Sequence, residues 1–225
     1  MSDFVKNEIA TINYFQLVGR HSIPALSITM EEYCHQPTGA RHLHLASDDY
    51  NNSFMVSFLT VPSDSTGVAH ILEHTVLSGS RRYPLRSLFF SMEQRSLCSF
   101  MNALTGSEWT AYPFVTNNRK DFHNLIQVYL DSVFFPRLDP MDFSQEGYRI
   151  EPVDLADPNS DLIYKGVVYN EMKGAMNNQA YFAFSTLKNH LFPTLPYQYN
   201  SGGEPLNIPT LTHEALVDFH RRYYH

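Results

Sequence analysis

Alternating hydrophobic and polar positions between residues 27 and 61 predict β-strands. Three runs in this range show that alternation, and turn-forming residues separate them. The runs are LSITMEEYCH, ARHLHLAS and SFMVSFLTV, with Pro37-Thr38-Gly39 and DDYNN between them. We therefore predict a meander of three antiparallel strands in this part of the chain.

Helical periodicity dominates the rest of the chain. The segment NRKDFHNLIQVYLDSVF has apolar residues at helical spacing and stops before Pro136, so it predicts a helix. Another helix is predicted from Gly67 to about Gly79. Further predicted helices are PLRSLFFSMEQRS, GVVYNEMKGAMNN, AYFAFSTLKNHLF and THEALVDFHRRYY, the last with Thr212 as its N-cap.

A second pair of strands interrupts these helices. LCSFMNALTG and SEWTAYPFVT predict it, with the turn near Thr105-Gly106, and loops are expected at DPNSD and over 193–209. Strands and helices interleave without a regular βαβ rhythm. We therefore predict an α+β fold in which helices pack on a mostly antiparallel sheet.

The composition narrows the class of partner. Of 225 residues, 43% are hydrophobic and 17% are charged, as in ordinary folded globular proteins. The net charge of −7 argues against nucleic acid, because phosphate binding requires clustered Lys and Arg. No stretch is long and apolar enough to cross a membrane.

The expected compartment is reducing. Cys34 and Cys98 lie far apart without CxxC spacing, so we interpret both as free thiols. The start, MSDFVKNEIATINYF, lacks the basic region and apolar run of a signal peptide. We expect a cytoplasmic protein; a mitochondrial or plastid matrix protein whose transit peptide had been removed would look the same.

One predicted helix, VAHILEHTVLSGS at residues 68–80, carries three ionisable groups among apolar and small residues. His70, Glu73 and His74 stand at i, i+3 and i+4, so they share one face. Two imidazoles one turn apart can ligate one zinc ion, and a carboxylate beside them can act as a general base on water. HxxEH is the inverted form of the HExxH zinc-protease motif. We interpret the stretch as a metal site.

A two-histidine site needs a third protein ligand. Glu171, within the apolar and small-residue stretch GVVYNEMKGAMNN, is a candidate. Spacing alone leaves Glu108, Glu146 and Glu151 as rivals, and most glutamates are simply exposed.

Five blocks of sequence resemble the M16 zinc metallopeptidases, and among them the insulinase-like presequence-protease subgroup. The blocks are FLTVPSDSTGVAHILEHTVLSGSRRYP, SFMNALTGSEWTAYPF, QEGYRIE, GVVYNEMKGAM and LTHEALVDFHRRYYH. They occur in the family's order from about residue 20 to the end. The resemblance implies an M16-type α+β domain (LuxS/MPP-like) and zinc-dependent peptide hydrolysis.

The resemblance also implies roles for individual residues. His70 and His74 would be zinc ligands, Glu73 the general base, and Glu171 the third ligand. Some M16 branches have a further glutamate seven residues before the third ligand. Tyr164 stands there in this chain, so we assign no such role, and what orients the histidines stays open.

The block SFMNALTG resembles the family's substrate-binding edge strand. A peptide would add there as another strand, through main-chain hydrogen bonds. The implied substrate-binding residues are Ser99, Phe100, Asn102 and Ala103. Core packing is the alternative for Phe100, Met101 and Leu104, and we expect Trp109 and Tyr112 to be core aromatics.

Finally, the resemblance implies a longer protein, because such proteases have two halves that enclose a chamber. We predict that residues 1–225 are a single zinc-binding peptidase domain, the N-terminal part of such a protease, with one zinc per chain. Its partners would be unstructured peptides and the missing C-terminal half, with no nucleic acid or membrane partner. We expect the isolated chain to hydrolyse peptides poorly and to self-associate. The alternative function is a non-catalytic M16-like scaffold or peptide-binding subunit.

Overall fold

The structure of the chain is a computed structural model that describes residues 14–225. The N-terminal segment in which no signal peptide was expected lies, for its first thirteen residues, outside the described residues. The chain divides into two compact units, one up to Tyr50 and one from Asn51 to His225. Each unit is described by itself below.

The first unit contains a three-stranded antiparallel sheet. Its strands are β1 (Phe15–Ile23), β2 (Ile28–His35) and β3 (Arg41–Ala46), in the order β1-β2-β3. The predicted strands at LSITMEEYCH and ARHLHLAS are therefore confirmed as a pair, with the expected turn between them. Strand β1 was not predicted.

The second unit contains the main sheet. Its strands are β4 (Asn52–Leu59), β5 (Cys98–Met101), β6 (Leu104–Thr105) and β7 (Trp109–Thr116). The order is β4-β7-β5, and β6 also pairs with β7, all antiparallel. A separate hairpin, β8 (Arg149–Pro152) and β9 (Leu162–Lys165), encloses the predicted loop DPNSD.

The prediction that SFMVSFLTV forms the third strand of a meander is wrong. This segment forms β4, which pairs with β7 and not with β3. Across that pair the rings of Phe54 and Phe114 lie 5.5 Å apart, and Phe58 is buried in the same core. The strand itself was predicted correctly, but its partner is set by these long-range side-chain contacts.

Seven α-helices follow the sequence pattern in most places. They are α1 (Val68–Val76), α2 (Leu88–Glu93), α3 (Arg119–Phe134), α4 (Pro140–Glu146), α5 (Val167–Met176), α6 (Gln179–Leu191) and α7 (His213–Tyr223) in the described part of the chain. Thr212 caps α7 as predicted, since its side chain accepts a hydrogen bond from the Ala215 amide. Helix α4 was not predicted. The loop 193–209 contains two short 3-10 turns.

The core lies where α1, α3 and α7 meet β7. Its fully buried members include Ile71, Leu72, Val76, Tyr112, Phe114, Leu125, Tyr129, Val133 and Leu216. Tyr112 is a core aromatic as predicted, but Trp109 is not, because it is 44% exposed at the end of β7. Helices on antiparallel sheets confirm the α+β prediction. No helix in residues 14–225 is long and apolar enough to cross a membrane.

Candidate metal centre and active site

Three side chains converge in a cleft of the second unit. His70, His74 and Glu171 each offer one ligand atom, and these atoms lie within 4.8 Å of one another. The Glu171 Oε2 atom is 3.6 Å from His70 Nε2 and 4.0 Å from His74 Nε2. Ligands about 2.0–2.1 Å from a tetrahedral zinc would be about 3.4 Å apart, so small side-chain movements would close the site.

Helix α1 places both histidines because its opposite face is core. Ile71 and Leu72 are fully buried, while His70 and His74 line the cleft one turn apart, with their ring centroids 5.0 Å from each other. The helix begins after Gly67, whose φ of 72° is left-handed. A Cβ on Gly67 would lie 2.7 Å from the Gly202 carbonyl oxygen, so only glycine allows this close approach.

The Nδ1 atom of each histidine, which is not the proposed ligand atom, has a hydrogen-bond partner. The Nδ1 atom of His70 is 3.0 Å from the Gly202 carbonyl oxygen, and Nδ1 of His74 is 3.1 Å from Glu146 Oε2. A carbonyl oxygen can only accept, so His70 Nδ1 must donate and, in the neutral ring, Nε2 is left with a free lone pair. Such outer partners fix the tautomer and orientation of metal-ligating histidines. The Nε2 atoms of His70 and His74 both lie near Glu171, as metal-ligating nitrogens would.

Neither of these partners was predicted. Glu146 was considered only as a rival ligand, although it lies in the block QEGYRIE. Gly202 contributes a backbone carbonyl, which leaves no signal in the sequence. Tyr164 is not a member of the ligand cluster and packs instead against the rings of Tyr148 and Tyr169.

The carboxylates around His74 create a strongly negative environment. Burial by itself lowers the pKa of His74, but the hydrogen bond to Glu146 and the charges of Glu73, Glu146 and Glu171 together outweigh it and raise the pKa. The electrostatic field at this point of the cleft therefore favours a positive charge.

Helices α4 and α5 bring Glu146 and Glu171 to the same place. Glu146 ends α4, and Glu171 lies in the middle of α5. The end of α4 and the start of α5 approach closely because Gly166, just before α5, has no side chain. A Cβ on Gly166 would lie only 2.0 Å from the Gly147 carbonyl oxygen. The other two rival glutamates lie elsewhere: Glu108 accepts a hydrogen bond from Tyr197, and Glu151 pairs with Arg149 and Lys165.

Glu73 lies beside the ligand cluster on α1 and is not one of its members. It is only 7% exposed and lines the same cleft. The Thr105 hydroxyl donates a hydrogen bond of 2.5 Å to its Oε2 atom. A carboxylate adjacent to a metal site, with one oxygen engaged, is suited to act as a base.

The cleft has a volume of about 580 Å³ and receives residues from three other segments. Asn102 and Ala103, both predicted to bind substrate, line it, together with the following residues to Ser107. Ser99 and Phe100 belong to the same strand region but are not among the described residues that line the cleft. The opposite wall is provided by α6 and by the loop that contains Gly202.

The family follows from a sequence comparison. The model of the family described as "Insulinase (Peptidase family M16)" matches residues 60–174, slightly more than half of the chain. The chain belongs to this family of peptidases. The matched range includes all of the cluster residues and Glu73, so the M16 assignment and the geometry concern the same segment.

Individual M16 relatives agree with this assignment. "Presequence protease, mitochondrial" from Xenopus laevis is 55% identical over 90% of this chain, and the proteins of that name from Mus musculus and Saccharomyces cerevisiae are 54% and 49% identical, also over 90%. The chain spans only about 20% of the length of each of these relatives. Similarity to the presequence-protease subgroup is thus shown.

A solved M16 structure confirms the fold. The crystal structure of pitrilysin superposes with a TM-score of 0.68 over 93% of this chain and 21% of that protein. The sequence identity of 18% means that this likeness concerns the fold alone.

Proposed function

We propose that this chain is the zinc-binding part of an endopeptidase that hydrolyses short, unfolded peptides. The observation that carries the proposal is the cluster of His70, His74 and Glu171, with Glu73 beside it, in a cleft that also contains a strand edge. Two histidines and one carboxylate, with a position left open, are a typical donor set of catalytic zinc. When bound, zinc would supply a Lewis acid that polarises the scissile carbonyl and makes water more acidic.

Glu73 would be the general base. Its Oε1 atom would take a proton from the attacking water and later deliver it to the leaving nitrogen, while the water oxygen forms the new carboxylate. Its low exposure removes competing solvent from the proton path. The Gly202 carbonyl and Glu146 would hold the imidazoles in place throughout.

The peptide would bind along the sheet edge formed by β5 and β6, next to Asn102 and Ala103, which join these two strands. Strand β6 pairs with β7 on one side, and an added peptide strand would form main-chain hydrogen bonds on the other. Such binding depends on an extended backbone more than on side chains, which favours unfolded peptides. The assignment of Ser99 and Phe100 to substrate binding also stays a prediction; these two residues would contact a peptide only if it extended beyond the cleft.

The wider context is also proposed. Because the relatives are about five times as long as the matched region, we propose that this domain acts within a longer, two-halved protease whose other half completes the chamber. The relatives' names contain the word "mitochondrial", which favours a mitochondrial location over the expected cytoplasmic one. The prediction of one peptidase domain in these residues, and that of self-association when they are isolated, have not been tested.

Metal analysis tests the ligands. We expect one zinc per chain, lost in His70→Ala, His74→Ala and Glu171→Ala, because two protein ligands bind zinc far more weakly than three. Glu108→Ala removes a carboxylate outside the cluster and serves as the matched control. Stoichiometric zinc in Glu171→Ala, with loss in the control, would contradict the ligand assignment.

A peptide assay tests the chemistry. In the full-length protein that carries this chain, Glu73→Gln keeps the size of the side chain but cannot accept the proton, so we expect retained zinc and turnover at least ~100-fold lower. Zinc binding without any hydrolysis by the unmodified protein would favour the non-catalytic scaffold or peptide-binding alternative. Near-normal turnover in the variant would reject Glu73 as the base.

A further inference from the structure

Thr105 connects the candidate base to the strand edge. Its hydroxyl donates the 2.5 Å hydrogen bond to Glu73 Oε2. Glu73 lies on α1, whereas Thr105 is the second residue of β6, in another segment of the cleft lining. The sequence analysis gave Thr105 no role beyond a turn, and the proposed function does not use it.

The chemistry of this contact is asymmetric. An ionised carboxylate only accepts hydrogen bonds, and hydroxyl-to-carboxylate bonds of about 2.5–2.7 Å are charge-assisted. The last torsion of a glutamate side chain is broad and nearly two-fold, so the two oxygens exchange easily unless one of them is held. Thr105 holds Oε2 of Glu73 and leaves Oε1 as the oxygen that can receive a proton.

We infer that Thr105 is a positioning residue for the base. Its hydroxyl selects the orientation of the Glu73 carboxylate in which Oε1 faces the attacking water. This role rests on the proposed peptidase function and adds to it a residue that acts through Glu73 and does not itself touch the reacting atoms.

The backbone around Thr105 is fixed, so its hydroxyl is a stable reference point. Thr105 pairs with Thr110 of β7, the Gly106 amide donates to the Trp109 carbonyl at 2.7 Å, and the Trp109 indole lies against Gly106. Upstream, the Asn102 amide donates to the Pro113 carbonyl at 3.1 Å.

Strand β6 therefore sets two positions at once. Its backbone adjoins Asn102 and Ala103, where the peptide is proposed to bind, and its Thr105 hydroxyl orients the base. An error in the alignment of base and peptide affects the chemical step more than it affects binding. Loss of the hydroxyl should consequently lower kcat and leave KM nearly unchanged.

The first test measures the contact without any activity. Thermal unfolding is compared for the metal-free chain 1–225 and its Thr105→Val, Glu73→Ala and doubly substituted variants. Valine keeps the β-branched shape, so Thr105→Val should lower Tm by roughly 3–10 °C when Glu73 is present. In the Glu73→Ala background the same substitution should change Tm by less than about 1 °C. Equal shifts in the two backgrounds would refute the contact.

The second test measures the role in the full-length protein with zinc content verified. Thr105→Val should lower kcat by about 10- to 100-fold, with KM and zinc content unchanged. Thr105→Ser keeps the hydroxyl and should retain kcat within about threefold. The matched control is Thr210→Val, which removes an exposed hydroxyl bonded to the Asn207 carbonyl, away from the cleft, and should change neither constant.

The two tests separate the possible failures. A coupled Tm shift with unchanged kcat in Thr105→Val would refute the positioning role and leave the proposed peptidase intact. A raised KM with unchanged kcat would show that Thr105 only binds peptide, and failure of Thr105→Ser to restore kcat would show that the hydroxyl is not what matters; both overturn the inference. Absence of hydrolysis in the unmodified, zinc-loaded protein would overturn the proposed function and the catalytic role with it, while the Tm comparison would still decide whether Thr105 holds Glu73.

Discussion

Replacement of Glu146 should weaken zinc binding although Glu146 is not one of the three proposed ligands. Its Oε2 atom lies 3.1 Å from His74 Nδ1, and both side chains are largely buried, with 17% and 25% of their surfaces exposed. In Glu146→Ala the imidazole loses the partner that fixes its orientation. It also loses the nearby negative charge that makes the Nε2 lone pair more basic and so a stronger metal ligand.

The size of the effect follows from the geometry of the contact. A hydrogen bond to a charged group contributes about 1.5–3 kcal/mol, and about 1.4 kcal/mol corresponds to a tenfold change in affinity. We therefore expect the Kd for zinc to rise about 10- to 150-fold, close to the roughly 10- to 100-fold typical of such outer partners. Glu146→Gln still offers an acceptor and should cost less than about 10-fold.

Competition with a chromophoric chelator at fixed pH and salt measures these affinities. The control is Glu151→Ala, which also removes one negative charge but breaks a partly exposed ion pair with Arg149 and Lys165 outside the cluster. It should change the Kd by no more than about twofold. A Glu146→Ala protein that binds zinc as tightly as the control would refute the role of Glu146, and an equal loss in both would reduce the effect to net charge.

Three further outcomes are expected. Gly67→Ala should lower Tm and weaken zinc binding, because a Cβ there would strain a left-handed residue and lie 2.7 Å from the Gly202 carbonyl oxygen. The control is Gly174→Ala in an exposed helical position, where a Cβ would have nothing within 4 Å. This control should be neutral or stabilising. The isolated chain 1–225 should show kcat/KM at least about 100-fold below the full-length protein at equal zinc loading, and comparable values would contradict the need for a second half. Burial is the main cause that lowers the pKa of His220 in the folded chain, so the unfolded chain binds more protons and stability falls as the pH drops below about 6.5. His220→Gln should therefore reduce the loss of Tm between about pH 7.5 and pH 5.5. An unchanged loss of Tm would refute this role of His220.

Local patterns predicted most helices and the pairing of strands that are adjacent in sequence, but not the partner of β4. Helix α3 shows several turns of regular apolar spacing before Pro136, and α7 has a capping threonine, so both could be recognised within a short window. Helix α4 has only seven residues, too few to establish a period, although Asp139 does cap it. The partner of β4 is β7, far along the chain, and only packing across the finished sheet selects it.

The site residues likewise fall into those that the local sequence predicts and those that it does not. His70, Glu73 and His74 could be predicted together because one helical turn places them on one face. Glu171 required the family resemblance, since nothing in its local spacing distinguishes it from other glutamates. Gly202 and Thr105 could not be found at all: one acts through its backbone carbonyl and the other through a hydroxyl in a predicted turn, and both become relevant only when distant segments fold onto α1.

The charges of the finished site explain why α1 carries ionisable groups in an apolar stretch. Glu73, Glu146 and Glu171 surround His74, and their combined negative charge raises its pKa against the opposing effect of burial. Three carboxylates so close together repel one another, and a half-buried position weakens the screening by water. A divalent cation between His70, His74 and Glu171 would offset this repulsion more completely than a single proton on His74. We therefore regard the motif as the charged half of a site that a metal ion completes.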